Sequence, residues 1–268
     1  MCAQIADHLR LGHPQRDPFV LPVSGGFAIY AGPSSPTNKV IGLGLDTGLD
    51  VAALERIERE WGTRGEPVRI EMSILTDPAH GTVLTERGYV LHGFENVLGV
   101  RIDSGAALPV PPPGVTVDLA ADSEFDLWMD IAVDAFSNLD GTGSVPPDAL
   151  PREQLREILS EMMGMPGFIR YLARVEGEAV GEAAMHIAGD LALIAGAGTR
   201  PRARGRGVQK TLLQRRLVDA RAAGCTLAVV TTAPGTRSQD NVMRRGFELL
   251  YARAILVKPV RIHDPTRT

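Results

Sequence analysis

The chain has 268 residues, of which 44% are hydrophobic and 22% charged, and 28 basic against 32 acidic side chains give a net charge of −4. This length predicts two domains with cores that need no metal or disulfide. A mildly acidic chain is a poor nucleic-acid binder, because neutralising phosphates requires a basic surface. Without a secretory signal pattern or a run of roughly 18 apolar residues, the chain is expected to be soluble, cytoplasmic and free of the membrane.

The clearest boundary is the segment LPVPPPG at Leu108–Gly114, with four prolines in seven residues. Such a segment cannot continue a helix or pair inside a sheet, and it is typical of a spacer. We therefore expect an N-terminal domain at 1–108, a linker at 109–114, a second domain at 115–262 and a short tail at 263–268.

The first domain is expected to alternate strands and helices. Apolar residues at Val51, Leu54, Ile57 and Trp61 have the spacing of an amphipathic helix. In chain order we predict strands at Gly26–Ala31 and Val40–Leu45, a helix at Val51–Trp61, a strand at Val68–Leu75, a short helix at His80–Arg87 and strand material at Tyr89–Ile102.

The second domain is expected to open with a strand at Val115–Leu119 and a helix that is capped by Asp122 or Ser123 and runs to Ser137. After a Gly/Pro-rich loop at Asn138–Pro147, the predicted elements are a helix at Arg152–Met163, strands at Phe168–Arg174, Ala179–His186 and Leu191–Ala197, a helix at Gly207–Ala223, a strand at Leu227–Thr232, a helix at Ser238–Arg245 and a final strand at Phe247–Val257.

The segment Gly196–Leu213, GAGTRPRARGRGVQKTLL, has the features of an anion site. A strand enters a glycine-containing loop, and a helix begins immediately after it. Glycines let the backbone approach a phosphate, and the first amides of a helix have no internal partner and favour negative charge. Five basic side chains add positive charge, at Arg200, Arg202, Arg204, Arg206 and Lys210.

Here the chain resembles the GNAT superfamily of acyl-CoA-dependent N-acetyltransferases. The family signature, Arg/Gln-x-x-Gly-x-Gly/Ala, lies between the fourth strand and the third helix, and Arg202, Gly205 and Gly207 match it. A second family feature is a Ser or Asn ahead of a Gly-Phe pair, matched by Ser238 and Asn241 before Gly246. The element order from Val115 to Val257 also resembles the family fold, which implies an α/β (α+β) domain with a mixed, mostly antiparallel sheet flanked by helices.

The resemblance implies that acetyl-CoA is the acyl-donor substrate. The backbone of Ala197, Gly198 and Thr199 would align the pantetheine arm, and Ser238 and Asn241 would approach it from the other side of the cleft. The amides that follow the signature's Arg202 would cradle the pyrophosphate: Arg204, Gly205, Arg206, Gly207, Val208, Gln209 and Lys210.

A direct attack by an amine requires a general base, because an ammonium has no lone pair. The candidates are Glu182 and His186, which alternate onto one face of the third strand, and then Asp190. For Glu182 and His186 the alternative is an ordinary sheet residue. Many family members carry a Tyr four residues before the Gly-Phe pair, where this chain has Val242. Either a water or Tyr251 would then protonate the leaving thiolate. No metal site is expected.

The N-terminal domain has no such signature, but its element order over residues 67–102 is similar to the end of the second domain. It therefore resembles a degenerate GNAT-like unit, with an unrelated α/β accessory domain as the alternative. Its counterpart loop, Leu43–Asp50, carries Asp46 and Asp50, which would repel a pyrophosphate. We expect it to cover the acceptor side or to mediate a homodimer.

The sequence thus predicts an acetyl-CoA-dependent N-acetyltransferase that forms a ternary complex with a primary amine, either a small molecule or a peptide. The alternative is a non-catalytic acyl-CoA-binding regulator. A nucleic-acid-binding patch at the arginine cluster is disfavoured, since no aromatic residues are interleaved with it. Arg215, Arg216 and Arg221 are expected on the solvated face of the third helix, opposite its apolar side.

Overall fold

The computed structural model describes residues 16–102, 113–138, 151–164 and 167–260. Most of the expected linker, the loop at 139–150 and the C-terminal tail therefore lie outside the described residues. The chain divides into two compact units. The first unit comprises Met1–Glu95 and Tyr251–Thr268, and the second comprises Asn96–Leu250. None of the described helices is long and apolar enough to cross a membrane.

Over its described residues, the first unit is a sheet with two helices. Its elements are β1 (Phe19–Val23), β2 (Gly26–Tyr30), β3 (Lys39–Ile41), α1 (Val51–Gly62), β4 (Val68–Ser73), α2 (Pro78–Glu86), the start of β5 (Val90–Arg101) and most of β11 (Glu248–Lys258). β1–β2 and β2–β3 pair antiparallel, β3–β4 parallel and β4–β11 antiparallel. The sequence analysis did not predict β1.

Helix α1 forms as its sequence pattern predicts. The Asp50 side chain accepts a hydrogen bond from the Ala53 amide and caps the helix start. Leu54, Ile57 and Trp61 fall on one face and are almost completely buried. They pack into a core with the apolar residues of β2, β3, β4 and β11, so this helix covers one face of the first unit's sheet.

The second unit contains the remaining elements. They are β6 (Val115–Leu119), α3 (Phe125–Phe136), α4 (Arg152–Met163), β7 (Phe168–Val175), β8 (Glu178–Ala188), β9 (Leu191–Thr199), α5 (Val208–Ala222), β10 (Leu227–Thr232) and α6 (Arg237–Met243), with short 3-10 turns at Asp122–Glu124 and Pro201–Ala203. Each predicted element of this unit is present, with bounds shifted by a few residues.

The sheet of the second unit is mixed and mostly antiparallel. β6, β7, β8 and β9 pair antiparallel in chain order, and β9 pairs parallel with β10. The other edge of β10 pairs antiparallel with residues 96–101 of β5. This confirms the expected fold class.

Helices cover both faces of this sheet, because strand side chains alternate in direction. On one face, α3 and α4 pack Trp128, Leu159 and Met163 against Leu172 and Ala184. On the other face, α5 packs its apolar side chains against β7 and β8, in a core whose buried members include Tyr171, Ala183, Met185, Val208 and Leu212.

Two strand segments belong to a different unit from the one that their position in the sequence predicts. Residues 96–101 of β5 pair with β10 in the second unit. Conversely, Arg253–Lys258 of β11 pair with β4 in the first unit. The compact units therefore differ from a division of the chain at the proline-rich linker.

Candidate active site

The second unit has a cleft where two parallel strands diverge. β9 and β10 pair only through Leu191–Leu193 and Leu227–Val229, although β9 continues to Thr199 and β10 to Thr232. Beyond this short ladder, one edge of β9 stays paired with β8. The opposite edge then offers backbone groups to a ligand, because each strand residue carries a donor and an acceptor that require partners.

A β-bulge interrupts β9 within this cleft. Ala183 pairs with Ala197, whereas the next residue of β8, Ala184, pairs with Ala195. Gly196 is therefore the extra residue, and its φ of +41° suits a glycine. Bulges re-aim the backbone groups that follow them, so this one decides which amides of β9 face the cleft.

The loop after β9 has the backbone geometry that the predicted anion site requires. Gly205 and Gly207 have φ of +77° and +83°, in the left-handed region, and Gly207 caps α5 without a side chain. The first hydrogen bond of the helix runs from the Thr211 amide to the Gly207 carbonyl. The amides of residues 208–210 thus precede the helical ladder and lack an intrahelical acceptor.

The arginines of this loop have carboxylate or carbonyl partners that are distant in sequence. Arg206 contacts Glu176 at 2.7 Å, Arg200 contacts Asp134 at 3.4 Å, and Arg202 pairs with Glu178. The Arg204 guanidinium donates to the carbonyls of Thr199, Ala135 and Asn138. The carboxylates offset the charges of Arg200, Arg202 and Arg206, whereas Arg204 donates to neutral carbonyls, and the half-buried Lys210 adds a charge beside the helix N-terminus.

Glu182 is completely buried beside the bulge. Among the described residues, neither carboxylate oxygen makes a hydrogen bond of ordinary geometry, although the Gly198 backbone lies close enough to favour the charged form. A Cβ added to Gly198 would lie 2.6 Å from its Oε1 and 2.6 Å from the Ala135 Cβ, so the carboxyl lies between β9 and α3. Burial raises the pKa of Glu182 to about 8, against the Arg216 charge and the Gly198 backbone, which lower it.

The other predicted site residues lie in different surroundings. His186 is half-buried and contacts the Phe168 ring, with centroids 5.4 Å apart, on the α3–α4 face. In α6, Ser238 is exposed and Asn241 is half-buried. Tyr251 lies on β11 at the start of its first-unit portion. The structure thus brings Glu182 to the bulge and leaves the roles of the others as predictions.

The pyrophosphate and pantetheine candidates follow one another along the cleft. The amide side chain of Gln209 donates to the Thr199 hydroxyl at 3.3 Å, which links the first turn of α5 to the end of β9. Val242 is buried in the core on the α5 face. This position therefore supplies packing and no acid.

Arg216 is the functional candidate that the sequence analysis missed, and its expected place on a solvated face is wrong. Its exposed fraction is 2%. It lies four residues after Leu212 and four before Ala220, both completely buried. This i, i+4 spacing puts Arg216 in the apolar stripe of α5 and was the available signal.

The fold that carries the splayed strands, the bulge and the glycine loop has counterparts among known proteins. Residues 126–247 match the model of the acetyltransferase (GNAT) family. Over these residues the chain is similar to that family, in agreement with the resemblance that the sequence indicates. No curated protein matches the chain significantly.

Solved structures show the same fold over most of the chain. A GCN5-related N-acetyltransferase from Kribbella flavida is 22% identical, with a TM-score of 0.67 over 97% of this chain and 96% of that one. A tandem GNAT protein from the clavulanic acid biosynthesis pathway is 12% identical, with a TM-score of 0.61 over 88% and 78%. A GCN5-related N-acetyltransferase from Sphaerobacter thermophilus is 17% identical, with a TM-score of 0.58 over 91% and 76%.

Proposed function

We propose that the protein is an N-acetyltransferase that transfers an acetyl group from acetyl-CoA to a primary amine within a ternary complex. The observation that carries this proposal is the cleft between β9 and β10, which leads directly into the glycine loop at the start of α5. Both parts of a CoA thioester find suitable partners there: unpaired strand backbone for the amide-bearing arm and free helix amides for the pyrophosphate.

The anion end of the site uses backbone more than side chains. The amides of residues 204–210 would hold the pyrophosphate, and Lys210 would add a charge at the first turn of α5. A Cβ on Gly205 would meet nothing within 4 Å, so the loop backbone is open on that side. Glycine at this position keeps the approach clear for a phosphate.

Glu182 fits the role of general base. The amine must lose a proton before its nitrogen attacks the thioester carbon, and a carboxylate whose pKa is near 8 matches a task at neutral to mildly alkaline pH. The C–N bond then forms as the C–S bond breaks. The nitrogen gives up a second proton, and the thiolate gains one from a water or from Tyr251, so that one proton in total is released. His186, four residues along the same strand face, would relay the proton outward.

The protonation of the thiolate leaves two alternatives. Val242 is buried where many family members have a Tyr, so a water or Tyr251 would supply the proton. A thiol has a reference pKa near 8.5, and its thiolate is a fair leaving group even without an acid. The same buried valine favours the second candidate function, a non-catalytic acyl-CoA-binding regulator.

The first unit fits a degenerate GNAT-like half with no cofactor site of its own. Its loop before α1 keeps two glycines with positive φ, Gly42 and Gly44. However, the Asp50 carboxylate accepts a hydrogen bond from the Ala53 amide at 3.0 Å. A negative side chain therefore occupies the helix start where a pyrophosphate would bind, which supports a role in acceptor recognition or dimerisation.

Calorimetric titration with acetyl-CoA and with CoA tests the cofactor assignment. We expect micromolar or tighter binding, which Gly205→Val and Gly207→Val should abolish. Gly189→Val is the matched control, because Gly189 has a φ of +63° in an open turn away from the loop. Binding that survives both loop substitutions would refute the assignment.

Thiol release from acetyl-CoA with a panel of primary amines separates the two candidate functions. An enzyme turns over at least one amine faster than it hydrolyses acetyl-CoA. Tight binding of acetyl-CoA without turnover of any amine on the panel would favour the regulator.

A further inference from the structure

The guanidinium of Arg216 is an unusual group to find inside the second unit. It is 2% exposed, and its burial lowers its pKa to about 10, partly offset by the charges of Glu182 and Tyr171. Taking a charge out of water is costly, and an apolar residue of similar size would often be at least as stable. The role of this buried arginine is therefore to be sought in the groups that its hydrogen bonds hold in place.

Its hydrogen bonds converge on the β-bulge. Nη1 donates to the carbonyls of Ala184 at 3.0 Å, Ala195 at 3.2 Å and Gly196 at 3.4 Å. Nε donates to the Leu212 carbonyl one turn earlier in α5, at 3.2 Å. The side chain thus fills the point where the β8–β9 ladder is interrupted, and it ties both strands to the helix.

The register in which β9 pairs with β8 after Gly196 depends on the bulge. The Arg200 amide donates to the Val180 carbonyl across the β8–β9 ladder, at 2.8 Å. Because backbone groups alternate between the two edges of a strand, those of Ala197 and Thr199 face away from β8, toward the cleft. Without the extra residue, a one-residue slip would turn these groups into the ladder.

We propose that Arg216 is a positioning residue of the acyl-CoA site, which holds the Gly196 bulge so that the Ala197 and Thr199 backbone faces the cleft. This inference rests on the proposed function. An amide aimed at the thioester carbonyl stabilises the negative charge that develops on its oxygen during attack. Arg216 touches no substrate and acts only through the strand.

Hydrogen exchange of the β9 amides, with and without acetyl-CoA, tests the proposal in the full-length protein. In Arg216→Met we expect faster exchange at residues 195–199 and loss of the protection that acetyl-CoA gives them. Arg216→Lys, which keeps the charge but not the planar fork, should lie between Arg216→Met and the wild type. If Arg216→Met does not fold, the comparison of Arg216→Lys with the wild type tests the proposal.

The matched control is Arg215→Met, one residue earlier on α5. Arg215 bonds Asp219 and the Val117 carbonyl and has no contact with the bulge. Its replacement should leave exchange in β9 unchanged.

The rate of thiol release, compared with the affinity for CoA, distinguishes a positioning role from a merely structural one. The rate of thiol release at saturating acetyl-CoA should fall about 100-fold in Arg216→Met, the scale of losing one oxyanion donor. The Kd for CoA should change less than about threefold, because the amides of the α5 start lie elsewhere.

Wild-type exchange and wild-type thiol release in both Arg216 variants would overturn this proposal alone. Failure of the wild type to bind acetyl-CoA or CoA would instead overturn the proposed function, and the role of Arg216 in it.

Discussion

Replacing Glu182 by Gln should stabilise the protein, and the gain should grow with pH. In the folded state burial raises the pKa of Glu182 to about 8 from the ordinary value of 4.5. The folded state therefore holds the proton over a pH range in which the unfolded chain has released it. Stability from this group is fully present below pH 4.5 and is lost as the pH rises toward 8. Gln has nearly the same shape and does not ionise, so the unfolding free energy of the variant does not fall with pH through this position.

The size of the effect follows from the two pKa values. Each unit of separation corresponds to about 1.4 kcal/mol, so the loss in the wild type is roughly 1 kcal/mol at pH 5 and about 4–5 kcal/mol at pH 9. Among the described residues only the Arg216 charge and the Gly198 backbone offset the burial of this carboxylate, and the pKa of about 8 already includes both. The difference in unfolding free energy between Glu182→Gln and the wild type should thus rise by about 3–5 kcal/mol across this range.

Urea unfolding of both proteins at pH 5, 7 and 9 measures the difference, in which titrating groups distant from Glu182 cancel. The Glu182 charge raises the pKa of Arg216, so the series stays below that pKa of about 10. Glu157→Gln removes the same charge from an exposed position on α4 and serves as the control. A gain that stays constant with pH, or a destabilised variant at pH 9, would refute the argument. Either result would mean that the Glu182 carboxylate has a partner in the native protein.

Three further predictions concern the fold. Trp61→Ala should lower the unfolding free energy by about 3–5 kcal/mol, since the ring is completely buried, while Val51→Ala, on the exposed side of the same helix, should cost far less. Thr236→Ala removes the side chain that caps α6 and should cost about 1 kcal/mol in urea unfolding. A fragment of residues 115–262 should aggregate, because its β10 lacks the partner strand at 96–101 and exposes an edge. A fragment of residues 90–262 keeps that strand and should remain more soluble in sedimentation assays.

The parts of the fold with a strong local signal were predictable. Helix α1 has apolar residues at helical spacing and an Asp cap, and it begins at Val51, as expected. The glycine loop was recognisable because Gly205 and Gly207 are required by local geometry: a positive φ and a close approach to the start of a helix. Such features depend on residues that are near in sequence, which a single chain displays directly.

The features that the sequence did not reveal depend on distant partners. The strands β5 and β11 were expected as strands, but pairing of 96–101 with β10 and of 253–258 with β4 has no local signal. The bulge at Gly196 is equally hidden, since its residue looks like any other in a strand of alanines and glycines. The arginine loop looked uniformly basic, and only the folded chain brings Glu176, Glu178 and Asp134 to it.

One helix links the two ends of the candidate site. In the proposed function the amides at the start of α5 would form the anion end. Arg216, eight residues after Val208, donates to the bulge, which would orient the backbone near the reacting carbonyl. At 1.5 Å per residue this helix sets a spacing of about 12 Å between the two. A rigid element that fixes both ends lets a substrate bind at its pyrophosphate and present its thioester in one orientation, so substitutions at Arg216 and at the glycine loop should separate rate from affinity.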